Sequence, residues 1–269
     1  MESKLVNMNT YEEHYIQCKN LYATDETTDI SNISLELNCI SNIPTKLVEN
    51  IDNKVVHKFK NNIDVTSTKW SRHISNWDDI PEIEQLCKII MPTIEKKYFG
   101  CHLKVEHLHI YENKNNISLE SSWAWHYDDC PKEFVKLAIY LNDVTENNGC
   151  MQVIKEENSY PVIESYRTNP KSKKGVPPPV FPNSRIPNNF ISRMLKDKTV
   201  TVQNLSGPRG THFLFTPNII HRGTEPKPNS TNRRAIFFFI RPTLKKQSNY
   251  SSSAHAEYKK INVKKYELD

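Results

Sequence analysis

The stretch Trp125-His126-Tyr127-Asp128 sets an imidazole and a carboxylate two residues apart. In an extended segment residues i and i+2 share a face, so both side chains can point at one object. A second candidate imidazole, His221, follows the apolar run Phe213-Leu214-Phe215-Thr216-Pro217-Asn218-Ile219-Ile220. Arg233-Arg234 then opens the strand-like segment Ala235-Ile236-Phe237-Phe238-Phe239-Ile240. Two histidines and one carboxylate on one face of a metal leave coordination positions open. Non-haem Fe(II) oxygenases use that arrangement, with a co-substrate and dioxygen taking the open positions. An arginine inside an apolar barrel can hold the far carboxylate of 2-oxoglutarate as a charged fork. Each piece alone is weak: the chain has ten histidines, and a buried arginine commonly pairs with an ordinary carboxylate. The order of the pieces is the signal. His107-Leu108-His109 with Glu112 forms a rival metal set at poorer spacing, and Asp129 is one residue out of phase with the metal face.

The surrounding elements must bring these residues together. Helical periodicity is expected around Tyr11–Leu21 and over Pro81–Tyr98, where Ile83, Leu86, Cys87, Ile90 and Ile94 fall on one face. From Leu103 the period changes to two. Strands are expected at Lys104–Tyr111, Ser122–His126, Phe134–Leu141, Cys150–Ile154, Thr199–Gln203, Thr211–Phe215 and Arg233–Ile240. Asn147-Asn148-Gly149 marks a tight turn. Short strands at close spacing point to a closed or sandwiched antiparallel β-fold. A single domain over 1–269 is expected: a mixed, partly helical part at 1–100, a β core at 101–245 and a peripheral tail at 246–269. Residues 155–198 interrupt the core with seven prolines, as a lid or a structureless insertion would.

Hydrophobic residues make up 37% and charged residues 25% of the chain, enough for a real core. No apolar run approaches membrane-spanning length and the mean hydropathy is -0.66. The polar start carries no secretory signal, so a cytoplasmic location is expected. Six cysteines without a C-x-x-C pair argue against a zinc knuckle or a disulfide framework; Cys130 and Cys150 read as small buried hydrophobes. No glycine-rich phosphate loop exists among six glycines. The 155–198 segment holds nine Lys/Arg against four acids, an excess equal to the whole net charge of +5. That is either a solvated basic loop or a field that attracts a small anionic substrate. No nucleic-acid partner is expected, because only Tyr160, Tyr166, Phe181 and Phe190 could stack there and no binding module matches. Oligomeric state is not fixed by the sequence.

Four stretches taken in order resemble the phytanoyl-CoA dioxygenase family of Fe(II)/2-oxoglutarate oxygenases, from about Val105 to Pro242. They are W-H-Y-D (125–128), N-N-G-C-M-Q-V-I (147–154), T-P-N-I-I-H-R-G (216–223) and R-R-A-I-F-F-F (233–239). The resemblance implies a mainly β protein with flanking helices and a double-stranded β-helix (jelly-roll) core. It implies His126, Asp128 and His221 as iron ligands, with 2-oxoglutarate and O2 as co-substrates. The family pattern favours Arg233 over Arg234 for 2-oxoglutarate, and strand alternation sends only one of the two inward. The chain departs from the family after Ile154, where a Pro-Gly-Ser-His turn is replaced by Lys155-Glu156-Glu157-Asn158-Ser159. The hydroxyl residue often found two after the distal histidine is replaced by Gly223, leaving Thr224 as the nearby candidate. His109 and Tyr140 are further candidates beside the co-substrate. Trp123, Trp125, Tyr127 and His107 are candidates for the substrate pocket, or simply core aromatics and barrel residues. The implied reaction is hydroxylation of an unactivated C–H in a small anionic molecule, releasing succinate and CO2. Desaturation, cyclisation or a non-catalytic metal-binding jelly roll are the alternatives. Halogenation is disfavoured, since Asp128 stands where halogenases carry Gly or Ala.

Overall fold

A computed structural model describes residues 8–22, 35–69, 71–114, 123–128, 130–131, 133–155, 159, 162–163 and 185–251. Strand β5 (Val135–Tyr140) is buried at every position, and the reason organises the molecule. Val135, Leu137 and Ile139 face one apolar cluster shared with helices, while Ala138 and Tyr140 face another shared with a second sheet. A strand covered on both sides has no use for polar alternation, which accounts for its sequence being apolar at every position but Lys136. The neighbouring strands β8 (His212–Phe215) and β10 (Arg234–Pro242) divide in the same way.

Ten strands form two antiparallel sheets among the described residues. The larger runs β1 (Leu35–Leu37), β8, β5, β10, β4 (Leu103–Asn113), β3 (Ser71–Ile74) and β2 (Val65–Ser67). The smaller runs β7 (Val202–Leu205), β6 (Met151–Ile154) and β9 (His221–Gly223). Their inner faces share Met151, Val153 and Leu205 from one sheet with Phe213, Phe215 and Ala235 from the other. This is a jelly-roll core. Tyr140 ties the sheets by donating to the Leu205 carbonyl at 2.6 Å and accepting from the Met151 amide at 3.2 Å.

The outer face of the large sheet is covered by α2 (Thr45–Asn61) and α3 (Pro81–Ile94). In α3, Ile83, Leu86, Cys87, Ile90 and Ile94 form the expected buried stripe. The α-helix ends four residues before the expected Tyr98, because the chain widens into a π-turn at Glu95–Phe99 after Pro92, which has no N–H for the ladder. Gly100 closes it at a φ of 59°, in the left-handed region where glycine has no Cβ penalty. Helix α1 (Met8–Tyr22) reaches the same turn through the Tyr15 hydroxyl, which donates to the Phe99 carbonyl at 3.0 Å.

Several expectations need correction. The boundary at residue 101 does not separate the sheet from what precedes it, since β1, β2 and β3 are strands of the large sheet. Over Ser122–His126 the described residues form no strand; His126 makes only isolated bridges, to His221 and Arg185. The strand expected at Thr199–Gln203 begins three residues later, at Val202, because Thr199 donates back to Met194 and caps the end of α4 (Asn188–Lys196). Most of the 155–198 segment lies outside the described residues. Within it, α4 packs Phe190 and Ile191 against Trp125, Tyr127, Ile154 and Ile220, on the outer face of the small sheet. At the tail's start, Gln247 accepts from the Val105 amide at 2.7 Å and Tyr250 accepts from the Trp77 indole at 3.1 Å. No helix among the described residues is long and apolar enough to cross a membrane.

Candidate metal and co-substrate site

The two sheets enclose a cavity of about 350 Å³, within the range of small-molecule sites. Into it project His126, Asp128 and His221, whose candidate ligand atoms all lie within 4.8 Å of one another. Among the described residues no other group of three such side chains converges like this. The histidines are neighbours through backbone pairing: the His126 amide donates to the His221 carbonyl at 3.0 Å and the reverse bond is 2.8 Å. Asp128 is fixed through its amide, which donates to the Pro217 carbonyl at 2.9 Å.

Each imidazole is also held from behind. Nδ1 of His126 lies 2.9 Å from the Ala124 carbonyl and Nδ1 of His221 lies 2.8 Å from the Ile219 carbonyl. A carbonyl can only accept, so both Nδ1 atoms carry the proton and both Nε2 lone pairs face the cavity. Nε2 of His221 is 3.6 Å from Asp128 Oδ2, and Nε2 of His126 is 4.0 Å from Oδ1. Burial lowers the pKa of both histidines, that of His221 to about 3. Burial alone would raise the Asp128 carboxyl, but the ammonium of Lys136 and the two histidines outweigh it and hold it at about 2. At neutral pH the site therefore presents two neutral imidazoles and one carboxylate. Those are the protonation states a divalent metal needs.

At a second point of the cavity wall lies Arg233, 3% exposed. Its guanidinium sits 5.4 Å from the ring centroids of both Tyr111 and Trp123. Its buried Nε and Nη1 have no hydrogen-bond partner among the described residues. A buried charge is normally paired, so these donors fit an anion supplied by a ligand. Arg234 alternates to the opposite face and is bound there. Its Nε and Nη2 donate to Asp52 Oδ1 and Oδ2 at 2.6 and 2.9 Å, with Glu112 3.7 Å away.

The other candidates divide. His109 and Trp123 line the cavity. Thr224 does not: its hydroxyl donates to the Cys150 carbonyl at 2.9 Å. Tyr140 is fully buried between the sheets and is not in the cavity wall. Trp125 and Tyr127 belong to the apolar cluster behind the small sheet, where Arg222 stacks 4.4 Å over Trp125. His107 packs against His109 and Phe239 behind the lining. The rival metal set fails because Glu112 is bound to Arg72 and Arg234 on the far side of β4. Asp129 lies outside the described residues. Both Cys130 and Cys150 are buried, as small hydrophobes would be.

Gly223 has its own explanation. A Cβ there would lie 2.5 Å from the Trp123 ring, so the missing side chain is what lets that indole lie beside Arg233. Sequence reasoning missed Lys136, Tyr111, His73, Ser71 and Thr68, all of which line the cavity. Only Lys136 left a signal, as a lone charge inside the apolar run Phe134–Leu141.

A jelly roll with two imidazoles, a carboxylate and a buried arginine around one cavity is the architecture of the 2-oxoglutarate-dependent oxygenases. Residues 52–235 match the family described as Phytanoyl-CoA dioxygenase (PhyH), and the chain belongs to that family, whose members use Fe(II), 2-oxoglutarate and O2. A curated relative, L-proline trans-4-hydroxylase of Streptomyces griseoviridis, is 26% identical over 145 residues, covering 48% of this chain. The chain spans about half of that relative, 52% of its length. Solved structures share the fold at low identity. The epimerase SnoN, in complex with Fe3+, alpha ketoglutarate and nogalamycin RO, matches with a TM-score of 0.54 and 10% identity, over 86% of this chain and 85% of its own. EctD from S. alaskensis, with 2-oxoglutarate and 5-hydroxyectoine, matches with a TM-score of 0.52 and 14% identity, over 78% and 73%.

Proposed function

We propose that this chain is an Fe(II)- and 2-oxoglutarate-dependent hydroxylase of a small anionic molecule, with His126, Asp128 and His221 as metal ligands and Arg233 as the anchor of the co-substrate. The observation that carries the reading is the pair of unsatisfied buried donors on Arg233, in the same cavity as a metal-ready donor set. The bound metal with 2-oxoglutarate and O2 supplies oxidative decarboxylation to succinate and CO2 and the transfer of one oxygen atom into a C–H bond. The protein's share is geometry and exclusion of water. His126 and His221 offer fixed Nε2 atoms, Arg233 offers a fork for the C5 carboxylate, and Tyr111 and Trp123 keep that fork dry. Met151, Phe237 and Phe239 give the rest of the cavity an apolar wall.

The anionic class rests on the basic excess at 155–198 and the small size on the cavity. The relative named for hydroxylating L-proline, a zwitterion that carries a carboxylate, adds the amino acids as a compound class. Free amino acids are therefore the first compounds to test. Full-length protein with Fe(II), ascorbate and 2-oxoglutarate is incubated with pooled free amino acids and with the matching amides. Succinate formation dependent on the acid pool, with a product gaining one oxygen atom, supports the reading. A product lacking two hydrogens would replace hydroxylation by desaturation or cyclisation. A protein that binds the metal but makes no succinate from 2-oxoglutarate with any pool would leave a metal-binding jelly roll.

A further inference from the structure

Two of the three candidate ligands have a visible outer support: the Ala124 carbonyl behind His126 and the Ile219 carbonyl behind His221. The carboxylate ligand has a different one. Lys136, on β5, hydrogen-bonds through Nζ to Asp128 Oδ2. We propose that Lys136 is the positioning residue for Asp128: it holds Oδ2 so that the carboxylate presents one oxygen, Oδ1, to the metal and the open coordination positions stay open. The proposal rests on the reading of His126, Asp128 and His221 as a metal centre and adds a role for a residue outside that set.

Three observations carry it. Asp128 sits outside any strand, so the backbone does not fix its side chain as the β-pairing of His221 and its bridge to His126 fix the imidazoles. Lys136 is fixed by the large sheet: it pairs in register with Phe239 on one side and Phe215 on the other. Its ammonium stands 4.4 Å from the Phe239 ring centroid and 6.0 Å from that of Phe215. The side chain is only 7% exposed, in a position where an apolar residue would extend the run of β5. A buried lysine among aromatic rings needs a reason, and Asp128 is the carboxylate it meets. Carboxylate ligands with one oxygen engaged by an outer partner are restrained in orientation, and loss of such partners weakens metal sites.

The direction of the effect makes the proposal testable. Lys136 carries the same sign of charge as the metal. If it were merely a nearby cation, its removal would tighten metal binding; if it holds Asp128, its removal loosens it. The full-length protein, Lys136→Met and Lys136→Arg are titrated with Co(II) or Mn(II) by calorimetry at neutral pH, and the d–d absorption of the Co(II) forms is recorded without 2-oxoglutarate. The expected result is about a 10- to 100-fold loss of metal affinity in Lys136→Met with an altered Co(II) spectrum, and near wild-type values in Lys136→Arg. Lys136→Gln, which keeps a donor without the charge, falls closer to wild type than Lys136→Met and serves where the methionine variant does not fold. Unchanged or tighter metal binding with an unchanged spectrum in the neutral variants overturns the proposal. A wild-type chain that takes up no divalent metal would instead overturn the metal-centre reading itself, so the two failures are distinct.

Discussion

Removing the Arg233 guanidinium is the most direct challenge to the co-substrate assignment. Its two donors without a partner among the described residues, Nε and Nη1, are buried beside Tyr111 and Trp123. A hydrogen bond to a charged partner contributes about 1.5–3 kcal/mol, so two such bonds from the guanidinium are worth about 3–6 kcal/mol at most. Rearrangement of Tyr111 and entry of water into the vacated space will recover part of that. An expected loss near 3–4 kcal/mol corresponds to about 100- to 1000-fold in Kd. In Arg233→Leu, calorimetric titration of the Mn(II)-loaded protein with 2-oxoglutarate should show that weakening while Mn(II) affinity is retained. Arg233→Lys keeps the charge but loses the fork, and should fall between the two. Arg234→Leu is the control. It strips Asp52 of its two-point partner and leaves the longer contact from Arg209, at 3.3 Å, so it should cost about 3 kcal/mol of stability with little change in 2-oxoglutarate affinity. An Arg233→Leu protein that binds 2-oxoglutarate like wild type would refute the argument, and the reverse pattern would transfer the role to Arg234.

Alanine at His126, Asp128 or His221 should abolish high-affinity metal uptake and metal-dependent succinate formation while circular dichroism stays that of the wild type. Full turnover by His126→Ala would exclude it as a ligand. Gly223→Ala should displace Trp123, whose ring lies 2.5 Å from where the new methyl would stand. The readouts are a shifted indole emission and weaker 2-oxoglutarate binding, and a variant unchanged in both would contradict the packing. Acid should destabilise the metal-free protein through His109, whose pKa burial and the nearby His107, His73 and Lys136 hold well below the ordinary 6.5. Neutral in the fold and protonated when unfolded, it contributes full stability above pH 6.5 and loses up to about 1.4 kcal/mol per pH unit below it. Denaturant titrations of His109→Phe from pH 8 to 5 should show a flatter decline than wild type, and identical slopes would remove His109 as a source.

The order of the chemical pieces was legible because each is tied to a short local pattern. His126 and Asp128 sit two residues apart, and the arginine pair opens an apolar strand. What alternation could not decide was which arginine turns inward. The structure answers through Asp52 on α2, a carboxylate 182 residues from Arg234. The helix itself left a readable stripe, with Leu47, Val48, Ile51, Val55 and Phe59 buried, but no motif drew attention to it. The segment before His126 misled for the opposite reason. Its alternating aromatics look like a strand, yet Trp123 packs on Gly223 and Trp125 behind the small sheet, so tertiary packing overrode local propensity. Strands β1 to β3 are three or four residues long, too short for a period to be seen.

The position of β10 has a consequence for how the protein is made. It lies between β5 and β4 in the middle of the large sheet, although it is the last in chain order of the ten strands among the described residues. During translation the sheet therefore cannot close from one end. Strands β4 and β5 emerge early, β4 with one long edge unpaired and β5 with both until β8 follows, and the edges between them wait for residues 234–242. Exposed apolar edges of that kind recruit other chains, so a nascent or truncated polypeptide ending before Pro242 should depend on chaperones or aggregate. The long sequence separation of these pairings also makes closure slow. Because Arg233 is the residue just before β10, the proposed anchor for the co-substrate arrives only with the step that completes the large sheet, and an incompletely folded chain lacks that part of the proposed site.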